Sequence, residues 1–288
     1  MSISRQNLTI VIVTLKSENV IHKCLESISS DVPVIIIENS DNKKFKEELE
    51  SKYQNIKCIL SGSNLGMGTA NNIGIKYART DYVYILNPDV TLEKNTLEQL
   101  FLFSHQLKDF TILSPINSDL NFPNYKGQKN KEKENHPFQV DYVDGFSMLL
   151  NKKKFNNDIY FDENFFLYLE NHDLCLRANR EGGSVYIVPT AKVYHTGSSA
   201  VDSKHDDEVE FSRNWHWVWS KFYFNKKNFN FFKAIKECFP TYISSILKFL
   251  FYTLINNKFK KRIYLNRTSG FYNALIGKSS WYRPKIDN

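Results

Sequence analysis

Tyr82-Val83-Tyr84-Ile85-Leu86-Asn87-Pro88-Asp89-Val90 is an apolar run that stops at a turn. A short unbroken series of β-branched and aromatic residues reads as a strand buried on both faces. Asn-Pro-Asp is turn chemistry. Working outward toward the N-terminus, three more runs of this kind occur: LTIVIVT at 8–14, VPVIIIE at 32–38, and residues 56–60. Segments with helical spacing lie between them. In 19–29 the apolar positions are Val20, Ile21, Cys24, Leu25 and Ile28; residues 45–53 and 68–78 supply two more helices. Strands that alternate with helices predict an α/β domain with a mostly parallel central sheet. Such sheets bind ligands beyond the carboxyl ends of their strands, which places the Asp89 carboxylate at that edge.

Working outward toward the C-terminus, residues 117–139 are rich in Asn, Lys and Pro and read as a mobile loop. Residues 147–150 form a strand, 161–180 are mostly helical, and 185–188 form a strand that ends at Pro189. From Phe211 the chain is helical, aromatic and basic. Net charge marks the same division. The whole chain carries +7, but the part from Lys221 onward carries 14 Lys and Arg against only Glu237 and Asp287. The first 220 residues are therefore acidic. A catalytic unit over 1–210 and a helical, basic, aromatic-rich region over 211–288 are expected.

Several classes are excluded. Cys24, Cys58, Cys175 and Cys238 are widely spaced without a C-x-x-C pair, so they read as reduced, buried thiols of a cytosolic protein. The apolar run at 8–15 is short and lacks a small-residue cleavage site, so it is not a signal peptide. No stretch of 18 or more uncharged apolar residues occurs, so a spanning helix is not expected. The glycines at 66 and 68 form neither a P-loop nor G-x-G-x-x-G. A nucleotidyltransferase would show a Gly-rich basic loop after the first strand, where this chain has Thr14-Leu15-Lys16-Ser17. Aromatics beside lysines in the tail raise nucleic acid as a partner, but no recognition motif accompanies them and the rest of the chain is acidic, so none is expected.

Four short motifs can carry chemistry. Asp89 after its strand can hold a divalent cation, and so neutralise a diphosphate; a plain Asp turn has the same sequence. Asn64-Leu65-Gly66-Met67-Gly68, with Asn71-Asn72, puts glycines before a helix, where backbone can approach an anion or simply cap the helix. Glu170-Asn171-His172-Asp173 puts two carboxylates three residues apart on one helical face. Either can serve as a general base, and either can serve only as an N-terminal acid favoured by the helix dipole. His195 follows a strand and precedes Thr196-Gly197-Ser198-Ser199, which suits a metal ligand or a structural histidine.

Taken in order, these motifs resemble the inverting family 2 glycosyltransferases of GT-A fold, and most closely their rhamnosyltransferase-like branch. The resemblance runs over roughly 8–220. The family's first strand ends in Thr-Tyr-Asn, here Thr14-Leu15-Lys16, and its second in Val-Asp-Asn, here Ile37-Glu38-Asn39. Its Asn-x-Gly-x-Gly…Asn-Asn is met by Asn64, Gly66, Gly68, Asn71 and Asn72, and its Leu-Asn-Pro-Asp-Val by residues 86–90 without change. Asp144-Gly145-Phe146-Ser147 looks like the stretch before the acceptor region. Glu170 to Arg177 follows Glu-Asp-x-Asp-Leu-Cys-x-Arg, with Asn171 replacing the Asp that commonly acts as base. His195, Gly197 and Ser199 are similar to His-x-x-Gly-x-Ser, with one residue fewer between the His and the Gly.

The resemblance implies a GT-A nucleotide-sugar-binding domain with a helical C-terminal extension. Thr14, Glu38, Asn39, Asn64, Gly66, Asn71 and Asn87 would hold the nucleotide. Asp89 and His195 would hold Mn²⁺ or Mg²⁺, with Asn87 beside them in place of an acidic first ligand. Asp144, Gly145 and Asn171 would face the sugars. An amide cannot accept a proton, so Glu170 would be the base and Asp173 its reserve. The implied donor is a nucleotide sugar, first dTDP-L-rhamnose, with a UDP-hexose or UDP-galactofuranose as runner-up. The implied acceptor is a lipid-linked O-antigen or capsule glycan, at the inner face of a bacterial inner membrane. A different class, a sugar-binding scaffold inactivated by Asn171, stays open, as does oligomerisation. The apolar segment 239–255 followed by Lys258, Lys260, Lys261 and Arg262 reads equally as a membrane-surface helix and as a core-facing one.

Overall fold

A computed structural model describes residues 4–107, 109–119, 121–128, 135–197 and 200–286. The chain alternates β1 (Leu8–Thr14), α1 (Ile21–Glu26), β2 (Val34–Glu38), α2 (Lys43–Lys52), β3 (Ile56–Leu60), α3 (Met67–Tyr77) and β4 (Tyr82–Leu86). The continuous apolar runs are explained by what covers them. Alternate residues Ile10, Ile12, Val34 and Ile36 face α1, α2 and α4 (Thr96–Gln106). Their neighbours Val11, Val13, Ile35 and Ile37 face α3 and α5 (Glu170–Arg180). A strand with both faces covered has no polar position to alternate. All four cysteines are free and buried.

The strands β3, β2, β1 and β4 pair in parallel, as predicted. Past β4 the sheet becomes mixed. It continues through β10 (Ser147–Asn151), antiparallel to both β4 and β6 (Ile112–Asn117), and then through β11 (Val185–His195) to β5 (Val90–Leu92). The segment read as one loop carries β7 (Tyr125–Lys126), β8 (Phe138–Gln139) and, just beyond it, β9 (Tyr142–Val143). Residues 129–134 lie outside the described residues. Pro189 does not end its strand. β11 passes it through a register shift between Val188 and Lys192, the irregularity at which a strand tolerates a residue without an N–H. This carries the chain on to His195. The largest departure is at 161–180, where only α5 is α-helical. Residues 161–169 form an irregular strap instead, and Tyr168 and Leu169 both adopt left-handed φ, at 70° and 68°.

The C-terminal region is three long helices: α6 (Asp206–Asn228), α7 (Phe231–Leu254) and α8 (Lys258–Leu275). They share a core of their own, which includes Trp215, Trp219, Phe222, Cys238 and Phe271. α6 and α8 approach closely because residue 270 is glycine. A Cβ there would lie 2.3 Å from the Trp215 carbonyl oxygen. Backbone cannot yield as a side-chain tip does, so Gly270→Ala is expected to destabilise the protein by about 2–3 kcal/mol. The check is a melting temperature several degrees lower, with the secondary structure of the remaining folded protein unchanged.

Candidate active site

One cavity of about 1200 Å³ opens at the carboxyl ends of β1, β2 and β4. Each strand delivers a polar residue to it just past its last ladder pair: Ser17, Asn39, and Asn87 with Asp89. Asn39 braces the next wall. Its amide donates to the Gly66 carbonyl at 3.2 Å, and its Oδ1 accepts from Leu65 N at 3.3 Å. Gly66 is required where it stands. Its φ is +79°, and a Cβ would lie 2.2 Å from the Phe166 carbonyl oxygen. That oxygen accepts from Met67 N, which ties the start of α3 to the strap.

Asp89 is buried, and its Oδ1 has no hydrogen-bond partner. His195 Nε2 lies 3.3 Å from that oxygen without forming a hydrogen bond. The imidazole is held by stacking on Phe146, centroid to centroid 4.1 Å. Asn87 Oδ1 is likewise buried and unpartnered. Buried polar atoms without partners are uncommon in folded chains, and those of Asn87 and Asp89 both line this cavity. Among the described residues no three His, Cys, Asp or Glu side chains form a metal cluster. One carboxylate and one imidazole, with an amide oxygen beside them, nevertheless fit an oxygen-seeking divalent cation that completes its shell from substrate phosphates.

Glu170, the first residue of α5, also lines the cavity. Its Oε2 is buried and unpartnered. Burial pushes its carboxyl pKa up to about 7, only partly offset by a backbone hydrogen bond. Asn71 Oδ1, on α3, is a further buried oxygen without a partner on the cavity wall. Asn171 does not face the cavity as a proton acceptor. Its amide donates to the Val143 carbonyl at 2.7 Å and packs beside Gly145. The Asp144 carboxyl pKa is raised by burial, against the opposing pull of His195 and Lys126.

Most of the residues expected at the site line this cavity: Asn39, Asn64, Gly66, Asn71, Asn87, Asp89, Asp144, Gly145, Glu170, Asn171 and His195. Three do not. Thr14 is fully buried within β1. Glu38 spends both oxygens on its own turn: Oε1 accepts from Ser40 N and Oγ, and Oε2 from Asn42 N. Asp173 is 1% exposed and lies 2.7 Å from Lys227 Nζ, while Asn228 donates to its other oxygen. Ser199 lies outside the described residues. The cavity also gathers Lys126, Tyr142, His172, Arg213 and Trp217, none of which the sequence reading assigned to it. His172 packs at a tilt against Tyr142, and burial lowers its pKa to about 4.

Comparison with known proteins gives the family and the fold. The model of glycosyl transferase family 2 matches residues 9–175. The low-salt glycan biosynthesis hexosyltransferase Agl10 of Haloferax volcanii is 28% identical over 197 residues, 61% of this chain and 62% of that one. The rhamnosyltransferase WbbL of Escherichia coli K12 is 26% identical, over 72% of this chain and 88% of its own. An N-acetylglucosaminyl-diphospho-decaprenol L-rhamnosyltransferase of Mycobacterium tuberculosis is 23% identical, over 65% and 75%. Among solved structures, residues 1–349 of S. aureus TarS in complex with UDP superimpose with a TM-score of 0.54 at 15% identity, covering 98% of this chain and 94% of that one.

Proposed function

The chain belongs to glycosyl transferase family 2, and from that premise we propose that it moves a sugar, with inversion, from a nucleoside-diphosphate donor onto a glycan hydroxyl. The observation that carries this reading is the set of buried, unpartnered oxygens of Asn87, Asp89 and Glu170 on one cavity at the strand ends. L-Rhamnose from dTDP-rhamnose is the first donor, supported by the two relatives named rhamnosyltransferases. A UDP-hexose or UDP-galactofuranose is the alternative, supported by the hexosyltransferase relative and by the UDP complex of the structural neighbour. The relative that acts on a decaprenyl diphosphate supports a lipid-linked surface glycan as acceptor, met at the cytoplasmic face of a membrane. Among the described residues no helix is long and apolar enough to cross that membrane.

Asp89 and His195, with Asn87 beside them, would hold a Mn²⁺ or Mg²⁺. Bound there, the cation would balance the charge that develops on the departing diphosphate. The remaining chemistry belongs to side chains of the chain itself. Asn39 holds the 64–66 loop against the donor pocket. Glu170 stands where an acceptor hydroxyl can give up its proton. The hydroxyl oxygen forms a bond to the anomeric carbon, the bond from that carbon to the diphosphate oxygen breaks with its electron pair on the leaving group, and the proton goes to the Glu170 carboxylate. A base with a pKa near the working pH is best matched to this task.

The test is a thermal-shift series with dTDP and UDP, each with and without Mn²⁺. A ligand that binds the folded state raises its melting temperature by mass action. A shift that requires Mn²⁺ and is larger with dTDP supports the rhamnosyl donor. A larger shift with UDP moves the donor to a UDP-sugar. No shift with either leaves the chain as a sugar-binding scaffold.

A further inference from the structure

Helix α7 is built inside out. The positions it buries against α6 and α8 are small, Ala234, Cys238 and Ser245, with Ile235 and Tyr242 partly buried beside them. Most of its large apolar side chains lie on the solvent side. Phe232, Phe239, Ile243, Leu247, Leu250 and Leu254 are all exposed, with Phe232 at 82%, Leu247 at 62% and Leu254 at 85%. Their spacing of three, four and seven residues places them on one stripe, along a helix about 36 Å long. An apolar stripe this long, left in water, marks a contact surface.

The charges around the stripe say what kind of surface it meets. Lys233 and Lys236 stand near its N-terminal end, and Lys258 and Lys260 just beyond its C-terminal end, all four exposed. Lys233 Nζ lies 3.6 Å from the centroid of the Phe229 ring, and Lys248 Nζ 5.3 Å from that of Tyr264. Ammonium groups held over aromatic rings are cation–π contacts, which place positive charge beside apolar surface as an apolar–water boundary does. From Lys221 onward the acids are Glu237 and Asp287 alone, and Glu237 lies 3.9 Å from Lys221. A second copy docked on this face would bring lysine clusters of one sign together, which disfavours it.

We infer that the outward face of α7 lies in the headgroup region of an anionic membrane, with the helix parallel to the surface and the flanking lysines on lipid phosphates. Such a face docks in the plane of the membrane rather than across it. The purpose of docking rests on the lipid-linked acceptor proposed above; the docking itself is measured without donor or acceptor.

The experiment is flotation of the full chain with phosphatidylglycerol–phosphatidylethanolamine vesicles and with pure phosphatidylcholine vesicles, at low and high salt. The protein is expected to float with the anionic vesicles, more weakly with phosphatidylcholine, and less at high salt. A Leu247→Glu/Leu254→Glu variant is expected to lose about ten-fold or more of the vesicle binding. Both positions are exposed, so its melting temperature and its nucleotide-induced thermal shift should match those of the parent. A parent chain that stays with the soluble fraction overturns the inference. So does a variant that floats as well as the parent, or light scattering that shows the parent as a dimer and the variant as a monomer with no flotation by either. Failure of nucleotide binding alone would overturn the donor reading and leave the docking result standing.

Discussion

Glu170→Gln is expected to slow sugar transfer by about 10²–10⁴-fold, the usual contribution of a positioned base, while donor affinity stays within about two-fold. The substitution keeps the shape of the side chain and removes only its ability to accept a proton. A donor–nucleotide titration beside a transfer assay separates the two effects. Equal turnover by the variant would remove Glu170 from the reaction. The same carboxyl sets a pH dependence. Its folded-state pKa is raised to about 7 from 4.5, and only the ionised form is a base. Transfer by the parent should therefore fall as pH drops through about 7, close to ten-fold per unit on the acid side. Stability runs in the opposite sense. Between pH 4.5 and 7 the folded state holds the proton and the unfolded state has released it, so this group's stabilisation is full below 4.5 and is lost as pH rises through 7. Glutamine stays neutral throughout. The variant should thus melt above the parent at pH 8, by an amount on the order of 1–3 kcal/mol, and the difference should vanish near pH 4.

Asp89→Ala is expected to cost about 10²–10³-fold in transfer, the scale for losing one electrostatic partner of a developing charge. It should also abolish the Mn²⁺-dependent part of the thermal shift. The fold should tolerate the change. Asp89 Oδ1 supports no hydrogen bond, and the contact that joins this turn to the end of β11 uses the Asp89 backbone oxygen, which accepts from Thr196 N at 3.2 Å. A variant with an unchanged melting temperature and no metal response would place the cation on Asp89. A variant that keeps the full Mn²⁺-dependent shift would place it elsewhere.

The first half of the fold was legible because β1, β2 and β4 are buried on both faces and leave continuous apolar runs. The site was legible where a strand end dictates direction, as at Asn87 and Asp89. It was not legible where direction depends on a turn. Glu38 ends its strand just as Asn39 does, yet its carboxylate folds back onto Ser40 and Asn42. Nothing in the spacing of Glu170 and Asp173 shows that one meets the cavity and the other Lys227, because that lysine comes from a helix 54 positions away. The strap was read as helix because its aromatic run has no glycine or proline to break it. Left-handed φ at Tyr168 and Leu169 is a strained choice for such residues, and propensity points away from it. Arg213 and Trp217 reach the cavity four residues apart on α6, in a segment whose aromatic content gave no hint of which face would turn inward.

The strap is fastened from several sides at once. Met67 N bonds to its Phe166 oxygen from the sheet side. Ser220 Oγ bonds to Leu167 O from α6, and Ser280 Oγ to Asn164 O from beyond α8. Lys227 bridges Asp162 on the strap and Asp173 on α5. Glu170, the base proposed above, follows this strap and is thus stitched to the last quarter of the chain, although by sequence it lies far from it. Chimeras that exchange the helical tail between related enzymes would cut these stitches, so the two parts can diversify only together.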